Sequence, residues 1–466
     1  MRLFAKRDNV TSGRNLHPCK WRPMRKFILC LILAPAWAQQ PLSLNGAVHV
    51  ALRENKSLAA ADADDRASQQ KIVQARSGML PKVNYAESWA RSDNPVFVFS
   101  SLLTQHQFTT DNFQVGPLNR PDFLNDFQSQ VTVDQPLYDA GMTRNAVKTA
   151  RLSQKMTGEE LRRAQMDVMA DVVRAYYGAV LAAASLKTSE QSVQSAEADL
   201  KQAESVHEAG MSTDADVLSI RVHLAAVNEQ RIQRAADLDV ARAALNDALG
   251  LPLDTPHTLT SALEPMKTQA AAPTDLEPGA VEQRPEVRES RLALAIAQTL
   301  ADTARDVFKP TVGFRAAFEA DRQRFVDRGG ANWLAAVSVR WNLFDGFADK
   351  SRVAESTDWI AHARANKERT DSAVRLQLRR AHADLESAEQ RIEVAKAAVA
   401  AAEESLRITR NRYEAGMSNV TDLLRNETAL LESRTRYLAA VHDQHIAATM
   451  LELAAGRLSP DSEVLR

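Results

Sequence analysis

The side chains that most often bind metals or catalyse reactions are scattered along this chain. His442 and His445 lie three residues apart, and the only acid beside them, Asp443, points to another side of a helix. The sequence has neither a glycine-rich phosphate loop nor a Gly-x-Ser-x-Gly nucleophile motif. We therefore expect no enzyme activity, no cofactor and no metal site.

The composition limits the choice of partners and of fold class. With 58 basic and 59 acidic residues, the formal net charge is -1, so there is no excess of positive charge to attract nucleic acid. Only 16 Gly and 17 Pro occur in 466 residues, which is too few turn-forming residues for an all-β fold. The composition predicts long helices and no nucleic-acid partner.

Two distant segments of the chain are nearly identical. Residues 208–212 and 414–418 both read Glu-Ala-Gly-Met-Ser, at an offset of about 206 residues. The same offset holds without gaps as far as Gly250 and Gly456, which indicates an internal repeat. Upstream the offset grows to about 229. The first copy is therefore expected to carry an insertion of roughly 23 residues, as a surface loop, between Pro81 and Leu137.

Each copy of the repeat begins with a helical stretch and continues as a strand hairpin. In the second copy, residues 312–321 and 333–342 alternate between apolar and polar, as strands do. The first copy alternates less cleanly, because Glu87 and Arg91 fall on the apolar side. A soluble hairpin with one buried face and a membrane-spanning hairpin both fit this pattern. Spanning would require several chains, because four strands cannot close a barrel.

A very long helical tract follows each hairpin. The tracts at about 141–206 and 347–412 contain no proline and would be roughly 100 Å long as helices. Such lengths imply coiled-coil packing. A soluble coiled coil is the simpler interpretation, but the repeat and the embedded hairpins argue against it.

Residues 1–38 predict an export signal. Basic residues follow Met24, an apolar run comes next, and a small-x-small cleavage pattern ends at Ala38. Met24 is the expected start, and the residues before it are interpreted as an over-extended reading frame, with a genuine leader extension as the alternative. Cys19 and Cys30 both precede the cleavage site, so the mature chain is expected to have no thiol and no lipid-anchored cysteine.

Taken together, these motifs resemble the TolC-type outer-membrane efflux proteins. The matching segments are the Tyr-Glu-Ala-Gly turn at 413–416 with Ser418 and the Asp-Leu-Leu at 422–424, the strand end at 135–139, the Arg-Pro-Glu-Val helix start at 284–287, and the repeat end at 245–250. They recur over nearly the whole mature chain, so the resemblance is specific at the level of the family.

The resemblance implies a mainly α-helical fold with a membrane β-barrel part. Three protomers would each give four strands to one twelve-stranded barrel in the Gram-negative outer membrane, and their helices to a tunnel through the periplasm. Such a homotrimer would be the passive exit duct of a tripartite efflux or type I secretion system. Its partners would be a periplasmic adaptor protein, an inner-membrane pump of the RND or ABC type, and outer-membrane lipid.

This interpretation divides the chain into a signal region and two repeats. The first repeat would cover residues 39–256 and the second residues 284–458. A linker at 257–283 would join them, and 459–466 would form a C-terminal tail.

The resemblance places the Tyr-x-x-Gly turn at the periplasmic tip, where the helices close the tunnel. Gly210 and Gly416 are predicted to end the long helices in a left-handed conformation. Ser212 and Ser418 are predicted to cap the helices that follow. The two glycines are assigned turn-forming roles without chemistry, whereas Ser418 is also counted among the residues of the tip.

By position, Tyr413 and Asp216 match family residues that hold the tip shut through a hydrogen bond. The alternative is that they are a packed aromatic ring and a solvated or capping acid. Asp422 matches an acid that narrows the entrance, and three copies would form a ring that favours cations. Ser418 stands where the best-studied member of the family has an arginine, so that ion pair is not expected here.

A periplasmic adaptor of the same kind of machine is the competing function. Adaptors carry one helical hairpin flanked by β-rich domains. This sequence instead contains two strand hairpins within a duplicated helical chain, which favours the duct.

Overall fold

The computed structural model describes residues 40–267, 272–327 and 329–465. The predicted export signal, Met24 and both cysteines lie outside the described residues. The helices and strands, in chain order, are β1 (Gln40–Leu42), α1 (Leu44–Glu54), α2 (Lys56–Arg76), β2 (Lys82–Ser92), α3 (Pro95–Thr104), α4 (Val115–Asn119), β3 (Leu124–Tyr138), α5 (Met142–Glu208), α6 (Asp214–Leu249), β4 (His257–Leu259), α7 (Pro273–Gln283), α8 (Pro285–Asp306), β5 (Thr311–Arg322), β6 (Gly330–Arg340), α9 (Ala348–Glu414) and α10 (Val420–Ala454).

Four long helices dominate the molecule and confirm the mainly helical fold. Helices α5 and α9 have 67 residues each, so each is about 100 Å long. Both continue without a proline to a glycine turn and return as α6 and α10, which have 36 and 35 residues. We call α5 with α6 the first helical hairpin, and α9 with α10 the second.

A four-stranded antiparallel sheet stands at the end of the molecule where the long helices begin. Its strand order is β2-β3-β5-β6. Tyr85 pairs with Val131, Val131 with Phe318, and Phe318 with Trp333, so large apolar side chains form a row across one face. The side chain of Trp333 is 80% exposed in the single chain. One face of the sheet is therefore apolar and uncovered.

The break in the alternation of β2 has a physical explanation. Glu87, on the apolar face, accepts a hydrogen bond of 3.0 Å from Arg322 Nη2. Arg322 Nη1 also donates to Ser129 Oγ at 2.8 Å, and the Tyr85 hydroxyl donates to Glu87 at 2.7 Å. The charge of Glu87 is thus neutralised across three strands.

The insertion in the first copy is more ordered than the predicted surface loop, since it contains α3 and α4. Asn94 begins α3 by accepting from Val96 N at 3.0 Å, and Pro95 occupies the first helical turn. The other end of α3 is held against the sheet, because Asn332 Nδ2 donates to Thr104 O at 3.2 Å. The insertion therefore folds across the end of the sheet.

A third group of elements packs around the middle of the long helices, and we call it the collar. It consists of β1, α1, β4 and α7. Strand β1 pairs in parallel with β4, and the buried Tyr176 of α5 donates its hydroxyl proton to Leu42 O at 2.9 Å. Two of these elements, β4 and α7, fall in the predicted linker at 257–283, which therefore has structure of its own.

Two apolar cores fix the collar to the helices. The larger joins α1 to α5, α6 and α10, and the smaller joins α7 to α8, α9 and α10. Within the described part of the chain, no helix combines the length and apolar character needed to cross a membrane.

Candidate functional site

The two turns at the far ends of the helical hairpins have the same geometry. Gly210 has φ of 76° and Gly416 has φ of 72°, the left-handed backbone that glycine adopts without strain. After each glycine the chain bonds back into the helix, with Met211 N donating to Val206 O at 3.0 Å and Met417 N to Arg412 O at 2.7 Å. These bonds satisfy carbonyls that a helix end leaves free.

The caps of the returning helices differ from the sequence prediction by one residue. The N-cap of α6 is Thr213 and that of α10 is Asn419, whereas Ser212 and Ser418 were expected in this role. The turn uses two residues after each glycine before the next cap, so the serines lie within the turn itself. Ser418 Oγ instead donates to Asp422 Oδ2 at 3.3 Å.

Asp216 belongs to the cap of α6. Its Oδ2 accepts from Thr213 Oγ1 at 2.8 Å and from Ser212 Oγ at 3.2 Å. These hydrogen bonds, that of Thr213 first, lower the pKa of Asp216 below its ordinary value. Asp422 has the equivalent place in α10, where its backbone N donates to Asn419 Oδ1 at 2.8 Å.

Tyr413 packs between the two hairpins. Its ring lies against an apolar cluster that contains Ala203, Val217, Ile220 and Val420. Burial, followed by the nearby charge of Asp216, raises the pKa of Tyr413. Within the described residues, no hydrogen bond joins the tyrosine hydroxyl to Asp216. In this structure the pair is therefore a packed ring and a capping acid.

A buried polar cluster just above the tip joins all four long helices. Arg410 of α9 donates through Nη2 to Asp199 Oδ2 of α5 at 3.2 Å and to Glu427 Oε1 of α10 at 2.8 Å. His223 Nε2 of α6 lies 3.2 Å from Glu427 Oε2, and Ser195 Oγ donates to Glu427 Oε1 at 3.1 Å. We call these five residues the junction.

The two carboxylates of the junction have opposite environments. Burial, together with the neighbouring Glu427, raises the pKa of Asp199 to about 7. Burial also opposes ionisation of Glu427, but contacts with His223 and other donors hold its pKa at about 2. Glu427 is the more readily ionised of the two because more donors surround it, and Asp199 is the one that binds a proton more readily.

The first hairpin contains a pair equivalent to two residues of the junction, with the charges exchanged. Glu204 and Arg221 precede Arg410 and Glu427 by the repeat offset of 206 residues, so the charges are exchanged between the copies. Arg221 Nη2 donates to Glu204 Oε1 at 2.8 Å. This pair lies on the surface, whereas Glu427 is buried. Sequence reasoning missed the junction, although the exchanged charges were visible once the copies were aligned.

The two histidines of α10 have different surroundings, and His442 Nδ1 lies 3.3 Å from Asp443 Oδ1, an acid that was expected to point elsewhere. His445 stacks on Tyr177 with ring centroids 4.0 Å apart, and its Nε2 lies 2.9 Å from Glu264 O. Burial lowers the pKa of His445. No group of three or more His, Cys, Asp or Glu side chains suited to a metal ion occurs in residues 40–267, 272–327 and 329–465.

The chain is similar in sequence to known proteins and in fold to a solved structure. Protein CyaE of Bordetella pertussis is 28% identical over 70% of this chain and 70% of its own length. The outer membrane efflux protein BepC of Brucella suis is 22% identical over 90% of this chain and 86% of its own. The fold matches the crystal structure of the Campylobacter jejuni CmeC outer membrane channel with a TM-score of 0.75 and 16% identity, over 90% of this chain and 87% of that one.

A family model covers most of the sequence. The model described as outer membrane efflux protein matches residues 47–251 and 278–457. These ranges contain both helical hairpins, the glycine turns, the junction and all four strands of the sheet, together with most of α1 from the collar. The chain therefore belongs to the outer membrane efflux protein family.

Proposed function

We propose that three copies of this chain form the passive exit duct of a tripartite efflux or type I secretion system. Membership of the outer membrane efflux protein family, which extends over both halves of the chain, is the observation that carries the proposal. It makes the chain an outer-membrane exit duct and gives no support to the competing adaptor function. BepC, a relative over 86% of its own length, is named as such an efflux protein.

The open edges of the sheet support the trimer. Among the described residues, β2 and β6 each pair with a strand on one side only. Unpaired strand edges are unstable in lipid, because their backbone groups find no water there. Three copies placed edge to edge would give twelve strands, and every strand would then pair on both sides. The uncovered apolar face with Trp333 would then contact the membrane.

The long hairpins support a tunnel that reaches into the periplasm. Their length of about 100 Å exceeds any single globular core. At the tip, Met211 is 76% exposed and Met417 is 64% exposed, which would give an adaptor protein two apolar contacts per copy. An inner-membrane pump of the RND or ABC type would deliver the substrate there.

The closed tip is also proposed to be selective. Asp422 from three copies would form an acidic ring that favours cations. Tyr413 and Asp216 would keep the tip shut by packing and capping, in place of the hydrogen bond expected from the resemblance. The doubly substituted chain, Tyr413→Phe with Asp216→Ala, is expected to show raised passive conductance in planar bilayers. Unchanged conductance would remove both residues from the gate.

Cell fractionation followed by reconstitution tests the duct itself. We expect a trimer that only detergent extracts from outer membranes and that forms ion-conducting channels in planar bilayers. A soluble periplasmic species without conductance would overturn the proposal.

A further inference from the structure

A basic groove lies between α2 and α5, just below the sheet. It is open, with a volume of about 590 Å³. Its charged lining consists of Arg76 from the end of α2, Arg144, Lys148 and Arg151 from the start of α5, and Asp139. Met79, Thr143 and Val147 complete the lining.

The four cations of the groove lack an anionic partner in the part of the chain that the structure describes. No ion pair among the described residues includes any of them, although the chain forms many ion pairs elsewhere. The one acid in the lining is already engaged, because the carboxylate of Asp139 accepts from Gly141 N at 3.0 Å and from Thr143 N at 2.6 Å. The groove thus keeps an excess of positive charge that its own residues do not neutralise.

The second copy of the repeat carries only part of this cationic cluster. The positions equivalent to Arg144, Lys148 and Arg151 are occupied by Lys350, Ala354 and Thr357. The counterpart of Arg76 is Arg305, which pairs with Asp302 at 3.5 Å. The full set of four cations therefore occurs in the first copy alone, where Lys148 and Arg151 have no basic counterpart.

The groove faces away from the tunnel. Arg144 and Arg151 lie four and three heptads before Val172. Lys148 lies three heptads before Met169. Residues at this spacing lie on one face of a coiled-coil helix. Val172 and Met169 pack against α1 of the collar, and the collar must lie outside the tunnel because it would otherwise block the lumen.

Apolar surface continues from the groove towards the sheet. Met79 is 40% exposed and Leu80 is 58% exposed. Val83 and Tyr85 then carry the apolar face along β2, with exposures of 66% and 67%. Four unpaired cations below an apolar strip match the two parts of a phospholipid, a charged headgroup and its acyl chains.

We propose that this groove binds the phosphate headgroup of an anionic phospholipid in the periplasmic leaflet of the outer membrane, with the acyl chains along β2. The assignment rests on the proposed function, because it requires the sheet to stand in the membrane. One lipid per protomer would occupy the space between α2 and α5. It would supply the negative charge that the first copy lacks.

Lipid selectivity of the full-length trimer tests the site. The protein is reconstituted in phosphatidylethanolamine vesicles that contain spin-labelled phosphatidylglycerol or spin-labelled phosphatidylcholine, and the motionally restricted fraction of each label is compared. We expect the unaltered chain to prefer phosphatidylglycerol. Lys148→Glu with Arg151→Glu should reduce that preference by roughly tenfold or more, since each basic residue contributes separately to anionic-lipid binding.

Two further variants make the result specific. Lys201→Glu with Lys396→Glu changes the net charge equally at exposed positions in the half of the long helices that is remote from the sheet, where neither lysine forms an ion pair among the described residues. This variant should keep the preference. Lys148→Gln with Arg151→Gln should give an intermediate preference and guards against misfolding of the charge-reversed chain. Equal binding of both labels by the unaltered chain, or an equal loss in the Lys201 and Lys396 control, would overturn the proposal.

One further measurement distinguishes a lipid headgroup from free phosphate, and another distinguishes failure of the lipid site from failure of the duct function. Inorganic phosphate at millimolar concentration should not release the labelled phosphatidylglycerol, and release would assign the groove to free phosphate instead. Conductance of the unaltered chain in the same lipids reports on the duct. A conducting trimer without lipid preference removes only the lipid site, whereas a chain that neither trimerises nor conducts removes the proposed function.

Discussion

At the scale of single residues, backbone geometry and buried charge set the strongest constraints. The turn glycines have open space around them, because a Cβ added to Gly210 or Gly416 would meet no atom within 4 Å. Only their positive φ angles require glycine. The buried acids of the junction are constrained differently, because each must either share a proton or find a donor.

Gly416→Ala is expected to destabilise the protein by about 1–2 kcal/mol, since the left-handed conformation is strained for alanine. The measurement is the free energy of unfolding of the detergent-solubilised protein. Gly178→Ala is the matched control, because Gly178 lies inside α5 with free space around it. That change should stabilise by roughly 0.5–1 kcal/mol. Equal effects at both positions would contradict the role of the turn.

Asp199→Asn is expected to flatten the dependence of stability on pH. Because the folded-state pKa of Asp199 is raised from 3.8 to about 7, its contribution is present below pH 4 and is lost as the pH rises through 7. The melting temperature of the unaltered chain should therefore fall over this range, and that of the variant should fall less.

Asp216→Asn is the control for this experiment, with the opposite sign. The pKa of Asp216 is lowered, so its contribution is present at neutral pH and is lost only on acidification below its ordinary pKa. If Asp199→Asn leaves the pH profile between 4 and 7 unchanged, Asp199 does not share a proton with Glu427.

At the scale of elements, sequence patterns predicted the helices and strands that depend on neighbouring residues. The absence of proline predicted α5 and α9, and the alternation of residues predicted β5 and β6. The broken alternation of β2 could not be explained from sequence, because Glu87 is neutralised by a residue more than two hundred positions away. Local patterns carry no information about such partners.

The tip was predicted less well than the helices. The positive φ angles of the glycines were predicted correctly, because they depend on one residue. The N-caps are Thr213 and Asn419, one residue after the serines that were predicted. The junction was missed because four helices must be brought together before its residues meet. Among the described residues Tyr413 packs and Asp216 caps α6, and the part that this pair plays in closing the tip stays a prediction.

Arg410→Glu is expected to separate the two hairpins at the junction. It would leave three acids together, and loss of one partner from a buried ion pair costs roughly 3 kcal/mol or more. Conductance of the reconstituted channel should rise and the melting temperature should fall. Combining Arg410→Glu with Glu427→Arg should restore part of both, because it recreates the charge order of Glu204 and Arg221.

The ion pair of Glu204 and Arg221 in the first hairpin provides the control for the substitutions at Arg410 and Glu427. Arg221→Glu removes an exposed ion pair, and such pairs contribute only about 0.2–1 kcal/mol. Its effect on stability should therefore be small. If Arg221→Glu opens the channel as much as Arg410→Glu does, the junction has no special role in closing it.

At the scale of the whole molecule, equal helix lengths keep the two tips level. Removal of one heptad from both helices of a hairpin shortens it by about 10 Å. When only the first hairpin is shortened, Asp199 should lose contact with Arg410 and the closed state should be lost. When both hairpins are shortened, the contact should survive in a shorter closed channel. The segments to remove, chosen at matching heights, are 186–192, 228–234, 392–398 and 434–440.

Conductance and particle length measured by electron microscopy distinguish these outcomes. The doubly shortened protein should form particles about 10 Å shorter that remain closed. If shortening one hairpin alone leaves conductance unchanged, the level of the two tips does not matter for closure.

The exchanged charges of the two hairpins have a consequence for assembly. In the proposed trimer, six similar hairpins stand in a ring, and the second kind must follow the first at every step. Arg410 donates to Asp199 on the first hairpin, whereas two first hairpins placed side by side would bring Glu204, the counterpart of Arg410, towards Asp199. In that ring, the exchange of charge between the copies would therefore favour alternation of the two kinds of hairpin over contacts between two hairpins of the first kind.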